Sequence, residues 1–327
     1  MKRAANAALL LFLAVLMVNA AAASEDKKTF LESWGLHGKV RKVVVIEALM
    51  VEREGKYVEV DHLTTMERLF DEGGHLLEQT LRFRHSSSEF AQWTEKHRLN
   101  EYGDRIETRF LNADNGTLLR RVEYLYDERG FNTEQIRYGP DGEIAGTEKR
   151  EIDDQGNIIL STFFDKNGRP GIRTMNEYDE QGNCLETTQL DAKGSLIFKM
   201  VSEYDVQGNR TLEKYLNPDG SPKNGTTWKY DDHGVLTEMT EYAGFTWVRC
   251  YRRYTYDGAG RMIMEVTHNP DHSIYGRTTY LYDVQGNEIR EVVFVLKQEG
   301  EKETYIPTKR TTRQITYRDN SPEQKPD

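Results

Sequence analysis

Tyr178-Asp179-Glu180-Gln181-Gly182-Asn183 decides the fold, because its pattern returns every 26 residues. Gly130, Gly156, Gly182, Gly208, Gly234, Gly260 and Gly286 keep that interval six times without a slip, with an aspartate three residues before each. Six of these seven aspartates follow a tyrosine; Ile152 is the exception. A fixed period without insertions means that each unit meets its neighbours in the same way, so one unit's geometry sets the array. Asp at the first position and Gly at the fourth suit a type I turn: the carboxylate accepts local N–H bonds and glycine tolerates positive φ.

A second turn signal follows twelve residues after the first four of these glycines, in Pro140-Asp141-Gly142, Asn167-Gly168, Lys193-Gly194 and Pro218-Asp219-Gly220, while Thr246 and His272 replace its glycine after Gly234 and Gly260. Asp-Gly and Asn-Gly between apolar-containing runs are hairpin signals. The runs between turns hold about eight residues rich in Thr, Ile, Val, Tyr and Glu, and none sustains a 3.6-residue apolar period. The spacing predicts an all-β chain, an antiparallel meander of hairpin repeats forming a long twisted or curled sheet. A β-solenoid, one coil per repeat, is the alternative architecture. Strand twist accumulates over nearly twenty strands, so a coiled ribbon or partly closed barrel is expected.

Working outward, residues 70–295 hold the repeats and residues 24–69 a cap and leading hairpin, with Asp26–Trp34 a short helix and Glu54-Gly55 the hairpin turn. Asn100–Asp104 and Asn115-Gly116 read as earlier, weaker copies of the two turns, and Ser86–Ser88 as a longer hairpin tip. Residues 296–327 form a loop, a last strand over Arg310–Arg318 and a polar tail. Lys2 and Arg3, the apolar run Ala8–Val18 and Ala21-Ala22-Ala23 are the three parts of a signal peptide, assigned to 1–23. The run is too short for a membrane helix, which needs roughly 20 apolar residues, and no transmembrane segment is expected. No cysteine follows the cleavage region, so the expected product is secreted or periplasmic and not a lipoprotein.

Loss of Lys2 and Arg3 with the signal moves the net charge from −10 to −12. Dispersed acidic residues argue against nucleic acid as a partner, since that needs clustered Lys and Arg. Cys184 and Cys250 lie about five strands apart in a meander, well over ~15 Å at the strand spacing. A disulfide needs Cα atoms within about 7 Å, so two free thiols are expected unless the sheet closes on itself.

The recurring Tyr-Asp-x-x-Gly-Asn with an intervening Pro-Asp-Gly resembles the RHS/YD-repeat family, over Tyr178–Asn183, Tyr204–Asn209, Tyr256–Arg261 and Tyr282–Asn287. The resemblance implies an extracellular shell or carbohydrate-contacting β-structure. The large family members enclose a C-terminal toxin; only about 30 residues follow the last repeat here, so that role is not carried over.

For function, positions two apart on a strand share a face, which groups Trp228 with Tyr230, Tyr254 with Tyr256 and Tyr280 with Tyr282. On every second strand such rings recur about 9.5 Å apart and could stack on the sugar rings of a polysaccharide; the competing reading is that they pack as core. The turn aspartates offer one or two carboxylates each, already explained by the backbone, and His268 with His272 makes too few ligands for a metal site. No Gly-x-Ser-x-Gly, His-Glu-x-x-His or phosphate-cradling loop occurs. The sequence therefore predicts a non-enzymatic binding or structural module at the bacterial envelope, without cofactor or metal, whose partner is a polysaccharide or another envelope protein. A glycan-binding protein using the aromatic ladder is the alternative, and a secreted glycosidase a remote third.

Overall fold

The computed structural model describes residues 29–84 and 90–318. The signal peptide, residues 24–28 at the start of the cap, the Ser86–Ser88 tip and the tail beyond 318 lie outside the described residues. A single helical turn, α1 (Phe30–Ser33), is followed by twenty strands. The first ten are β1 (Val40–Arg53), β2 (Lys56–Phe70), β3 (Leu76–Arg84), β4 (Phe90–Leu99), β5 (Arg105–Asn112), β6 (Leu118–Tyr126), β7 (Asn132–Tyr138), β8 (Ile144–Ile152), β9 (Ile158–Asp165) and β10 (Pro170–Tyr178). The rest are β11 (Cys184–Leu190), β12 (Leu196–Tyr204), β13 (Arg210–Leu216), β14 (Pro222–Tyr230), β15 (Leu236–Ala243), β16 (Trp247–Tyr256), β17 (Met262–His268), β18 (Ile274–Tyr282), β19 (Glu288–Glu299) and β20 (Lys302–Tyr317).

Every strand pairs antiparallel with its sequence neighbours, as the hairpin meander requires, and the parallel stacking of a solenoid is absent among the described residues. The expected coiled ribbon or partly closed barrel is corrected in one respect: it closes fully. β1 pairs along its length with β20, Ile46 opposite Thr312 and Val43 opposite Ile315, so the twenty strands form one barrel. Closure satisfies the two edges that an open meander would leave unpaired. A circular wall of twenty strands would be about 40 Å across at usual spacing and tilt. The substantial contacts of each strand are with its two ladder neighbours, and outside the seam most residues of both faces stay at least part-exposed, as a wall around a hollow interior requires.

Most of the turns follow one scheme. In the Asp179 turn, Gly182 N–H donates to the Asp179 carbonyl, Asp179 N–H to the Asn183 carbonyl, and Asp179 Oδ1 accepts from the N–H groups of Gln181 and Asn183. This is a type I turn closed by a left-handed residue, Gly182 at φ +82°. The Asn183 side-chain amide and then the turn N–H groups outweigh desolvation and hold the Asp179 carboxyl below its usual range. Asp165 and Asp191 start the second class of turn in the same way, and the Asn217 turn keeps the backbone bonds with Asp219 Oδ1 as the acceptor of Ser221 N–H, so the two classes alternate between the two rims.

Three upstream or irregular turns depart from the sequence reading. The Asn100 turn closes on Gly103, 27 residues before Gly130 and so one residue out of the 26-residue phase. The Gly116 turn spans one residue more, Gly116 N–H donating to the Asn112 carbonyl. Thr246 does not take the glycine position of its turn. The loop is rebuilt around Gly244 and Phe245, both at positive φ, because a β-branched residue is poorly suited to that conformation. His272 does take it, at φ +68°.

The apolar core is small and local. Leu31, Val40, Val43, Phe70, Leu76, Ile289 and Ile315 cluster where α1 meets the closure seam. Thr29 caps α1 in a capping box with Glu32, and Leu31 N–H donates to the Gly74 carbonyl. Asn287, fully buried, accepts from His37 N–H at 2.6 Å and donates to the His37 carbonyl and the Tyr317 hydroxyl. The last repeat's asparagine thus fastens the cap.

Candidate inner-wall binding surface

Strand parity and register divide the wall into two faces. Arg68, His97, Tyr254, Glu265, Tyr280, Glu291 and Arg313 share one face, and burial is the largest influence on the ionisation of each. Side chains that converge on a concave wall desolvate one another, so this face is the inner one. Burial takes the Arg68 guanidinium down to about 9, against the attraction of Glu95. It takes His97 down to about 3, so this imidazole is neutral.

The six ladder residues all lie on the inner face, and they divide into two groups. Tyr230, Tyr256 and Tyr282 are engaged by the backbone: their hydroxyls donate to the carbonyls of Arg210 (2.9 Å), Leu236 (2.8 Å) and Met262 (2.7 Å). Tyr178 and Tyr204 do the same to Ile158 and Cys184, and Tyr126 to Arg105. In every case the acceptor is the residue at the register shift beside the preceding turn. The bulge leaves the following residue (Thr211, Thr237 or Ile263) outside the ladder, and the next repeat's tyrosine bonds the carbonyl just before it. The tyrosine of each Tyr-Asp pair therefore links its repeat to the one before.

Trp228, Tyr254 and Tyr280 form the second group. The Arg210 guanidinium lies 4.7 Å from the Trp228 ring centroid. Trp228 also borders an open rim recess of about 530 Å³ with Tyr230, Asp205, Gln207 and Asp231. Tyr254 and Tyr280 stand in a charged lattice. Tyr254 lies opposite Glu265 and Tyr280 opposite Glu291, whose strand neighbour is Thr311. Arg252 reaches Glu241 at 2.8 Å and Glu265 at 3.5 Å, while Lys309 holds Glu47 at 2.9 Å. Burial, with the nearby carboxylates, pushes the Tyr254 hydroxyl up to about 12 and Tyr280 upward as well. Burial also raises Glu265 and Glu291, against the opposing Arg252 and Lys309. These carboxylates escaped the sequence reading, although counting strand parity from Tyr254 would have placed Glu265 and Glu291 on the aromatic face.

Chemically, the lattice offers aromatic rings beside carboxylate acceptors and guanidinium donors facing a hollow. Among the described residues no group of three His, Cys, Asp or Glu converges as a metal site. His272 instead stacks on Tyr251, with centroids 4.4 Å apart. Cys184 and Cys250 are free thiols, because closure brings β1 to β20 but leaves β11 and β16 five strands apart.

Residues 230–274 match the RHS Repeat family model. Among solved structures the chain is similar to a porin-like protein from Bacteroides uniformis at 12% identity, covering 86% of this chain and 99% of that one, with a TM-score of 0.41. It is also similar to the TcdB2-TccC3-Cdc42 structure at 14% identity and a TM-score of 0.27, covering 80% of this chain and 19% of that one. The chain thus spans about a fifth of that second protein. Among curated proteins none matches significantly. Within the matched segment Tyr230 and Tyr256 bond the carbonyls of Arg210 and Leu236 as Tyr204 and Tyr282 bond Cys184 and Met262 in the repeats on either side, which supports the likeness of the array to RHS/YD repeats.

Proposed function

We propose that this chain is an exported, non-catalytic binding module of the cell envelope, whose inner wall takes a polyhydroxylated ligand of the glycan class. The observation that carries this reading is the placement of Tyr254 and Tyr280. They share the inner face with Glu241, Glu265 and Glu291, and no backbone carbonyl is bonded to their hydroxyls, unlike those of Tyr256 and Tyr282. Rings with adjacent acceptors suit sugars, which present apolar faces and hydroxyl edges. Export is supported by the basic, apolar and small-residue succession over residues 1–23.

The outer wall supports a barrel that stands in water. Lys199 pairs with Glu186 at 2.6 Å, Lys149 lies 4.0 Å from Glu134, and Glu238 holds both Lys229 and Arg253. A lipid-facing wall carries an apolar band about 25 Å tall, where a mid-strand lysine costs ~2–4 kcal/mol.

Binding to a panel of soluble oligosaccharides and insoluble polysaccharides, followed by calorimetry and co-sedimentation, tests the proposal. The Tyr254→Ala/Tyr280→Ala variant should lose at least about tenfold in affinity, as expected when ring contacts are removed. Tyr102→Ala, at an exposed turn, should bind like the parent. Equal affinity of the double variant and the parent would refute the assignment.

A further inference from the structure

We infer that the opposite stretch of inner wall, over β2–β8, holds an oxyanion site centred on Arg120, and that the ligand it takes is the carboxylate of an acidic sugar. This deepens the glycan reading and rests on it. The chain is acidic, with a net charge of −10, yet this part of the inner wall carries Arg68, Arg120, Arg137 and Arg150 against Glu95 and Glu148. The excess of guanidinium runs against the composition of the molecule.

The partners of these arginines separate one from the rest. Glu148 is saturated: it accepts from Arg137 at 3.0 Å, from Arg150 at 3.0 Å and from the Ser161 hydroxyl at 3.0 Å. Arg68 donates to Gln79 at 2.7 Å and is covered by the Trp34 ring. Glu95 accepts from the Trp93 indole at 2.9 Å. Arg120 has no carboxylate within ion-pair distance among the described residues. Its guanidinium lies over the Phe110 ring, 3.9 Å from the centroid. It is exposed to the interior. Desolvation still lowers its pKa, with Glu95 opposing and Arg137 reinforcing.

Contact with the Phe110 ring seats the guanidinium on the wall, and no carboxylate among the described residues takes its N–H groups within ion-pair distance. A planar fork held in this way matches a carboxylate through two parallel hydrogen bonds. The neighbouring Arg137, anchored through one N–H to Glu148, adds attraction for an anion. A uronic acid supplies the carboxylate, and its ring supplies a face for the aromatic groups of the same wall, among them Phe163, whose ring lies 5.2 Å from Arg137.

The test compares trigalacturonate with a neutral trisaccharide, cellotriose, by calorimetry at two salt concentrations. The parent should bind trigalacturonate at least about tenfold more tightly, with an affinity that falls as salt rises. Arg120→Gln should weaken trigalacturonate about tenfold, and Arg120→Lys, which keeps the charge but loses the fork, about threefold. Arg173→Gln removes the same charge from the exposed outer wall and should change affinity less than twofold. Thermal unfolding of each variant checks that the barrel is intact. Trigalacturonate binding that survives Arg120→Gln, or that Arg173→Gln weakens equally, overturns this inference alone. Tyr254- and Tyr280-dependent binding of cellotriose with no preference for trigalacturonate does the same. Absence of binding to any saccharide overturns the glycan reading with it.

Discussion

At the scale of single residues, the repeat tyrosines act first as hydrogen-bond donors to the backbone. Tyr178 reaches the Ile158 carbonyl at 3.1 Å, and burial pushes its hydroxyl up to about 12. Tyr178→Phe should therefore cost about 1 kcal/mol in denaturant unfolding, the usual worth of one such bond. Tyr254→Phe, which leaves the backbone fully bonded, should cost less. Equal losses would mean that the Tyr178 bond adds nothing to stability. The sequence made the Tyr-Asp pairing visible, but not this role, because the acceptor lies 20 residues upstream at a bulge that only the register reveals. For the same reason the predicted ladder of Trp228, Tyr230, Tyr254, Tyr256, Tyr280 and Tyr282 mixes backbone donors with rings that present themselves to the interior.

At the scale of elements, the turns were legible because a type I turn closed by a left-handed residue admits few residue types. His272 holds that conformation at φ +68°, where glycine carries no steric cost. His272→Gly should raise stability by ~0.5–1 kcal/mol, reduced by whatever the stack on Tyr251 contributes; a clear loss would show that the stack dominates. The β4–β5 pair carries a pH signature. His97 is buried and neutral, its Nδ1 2.9 Å from the Thr108 hydroxyl. Its folded pKa, about 3, lies below the unfolded 6.5. The unfolded chain thus binds the extra proton, and stability should fall from pH 6.5 downward, by at most about 1.4 kcal/mol per pH unit. The raised Glu265 and Glu291 act in the opposite sense, gaining stability as pH falls through their folded pKa values. Subtracting the pH profile of His97→Gln from that of the parent isolates the histidine. A flat difference between pH 6.5 and 4 would contradict its burial as a neutral group.

At the scale of the molecule, the sequence predicted strands, turns and antiparallel order, but not closure. Closure depends on twist and stagger summed over all twenty strands, and no single residue encodes that sum. Val40–Leu49 and Lys309–Tyr317 read as ordinary strands, although they form the seam. Nor could alternation alone say which face is concave, so Arg120, Glu265 and Glu291 had no place in a site until the barrel assigned them one. The closed wall also turns a row of rings into the lining of a chamber, on which both binding proposals depend. Closure is therefore the central claim, and Ile46 and Thr312, opposite one another across the seam, offer the most direct test. In a Cys184→Ser/Cys250→Ser background, Ile46→Cys with Thr312→Cys should oxidise to an intramolecular disulfide in high yield, read by mass spectrometry of the non-reduced digest. In an open meander the terminal strands would stand up to about 90 Å apart, and a folded protein that kept both thiols free under oxidation would contradict the closed barrel.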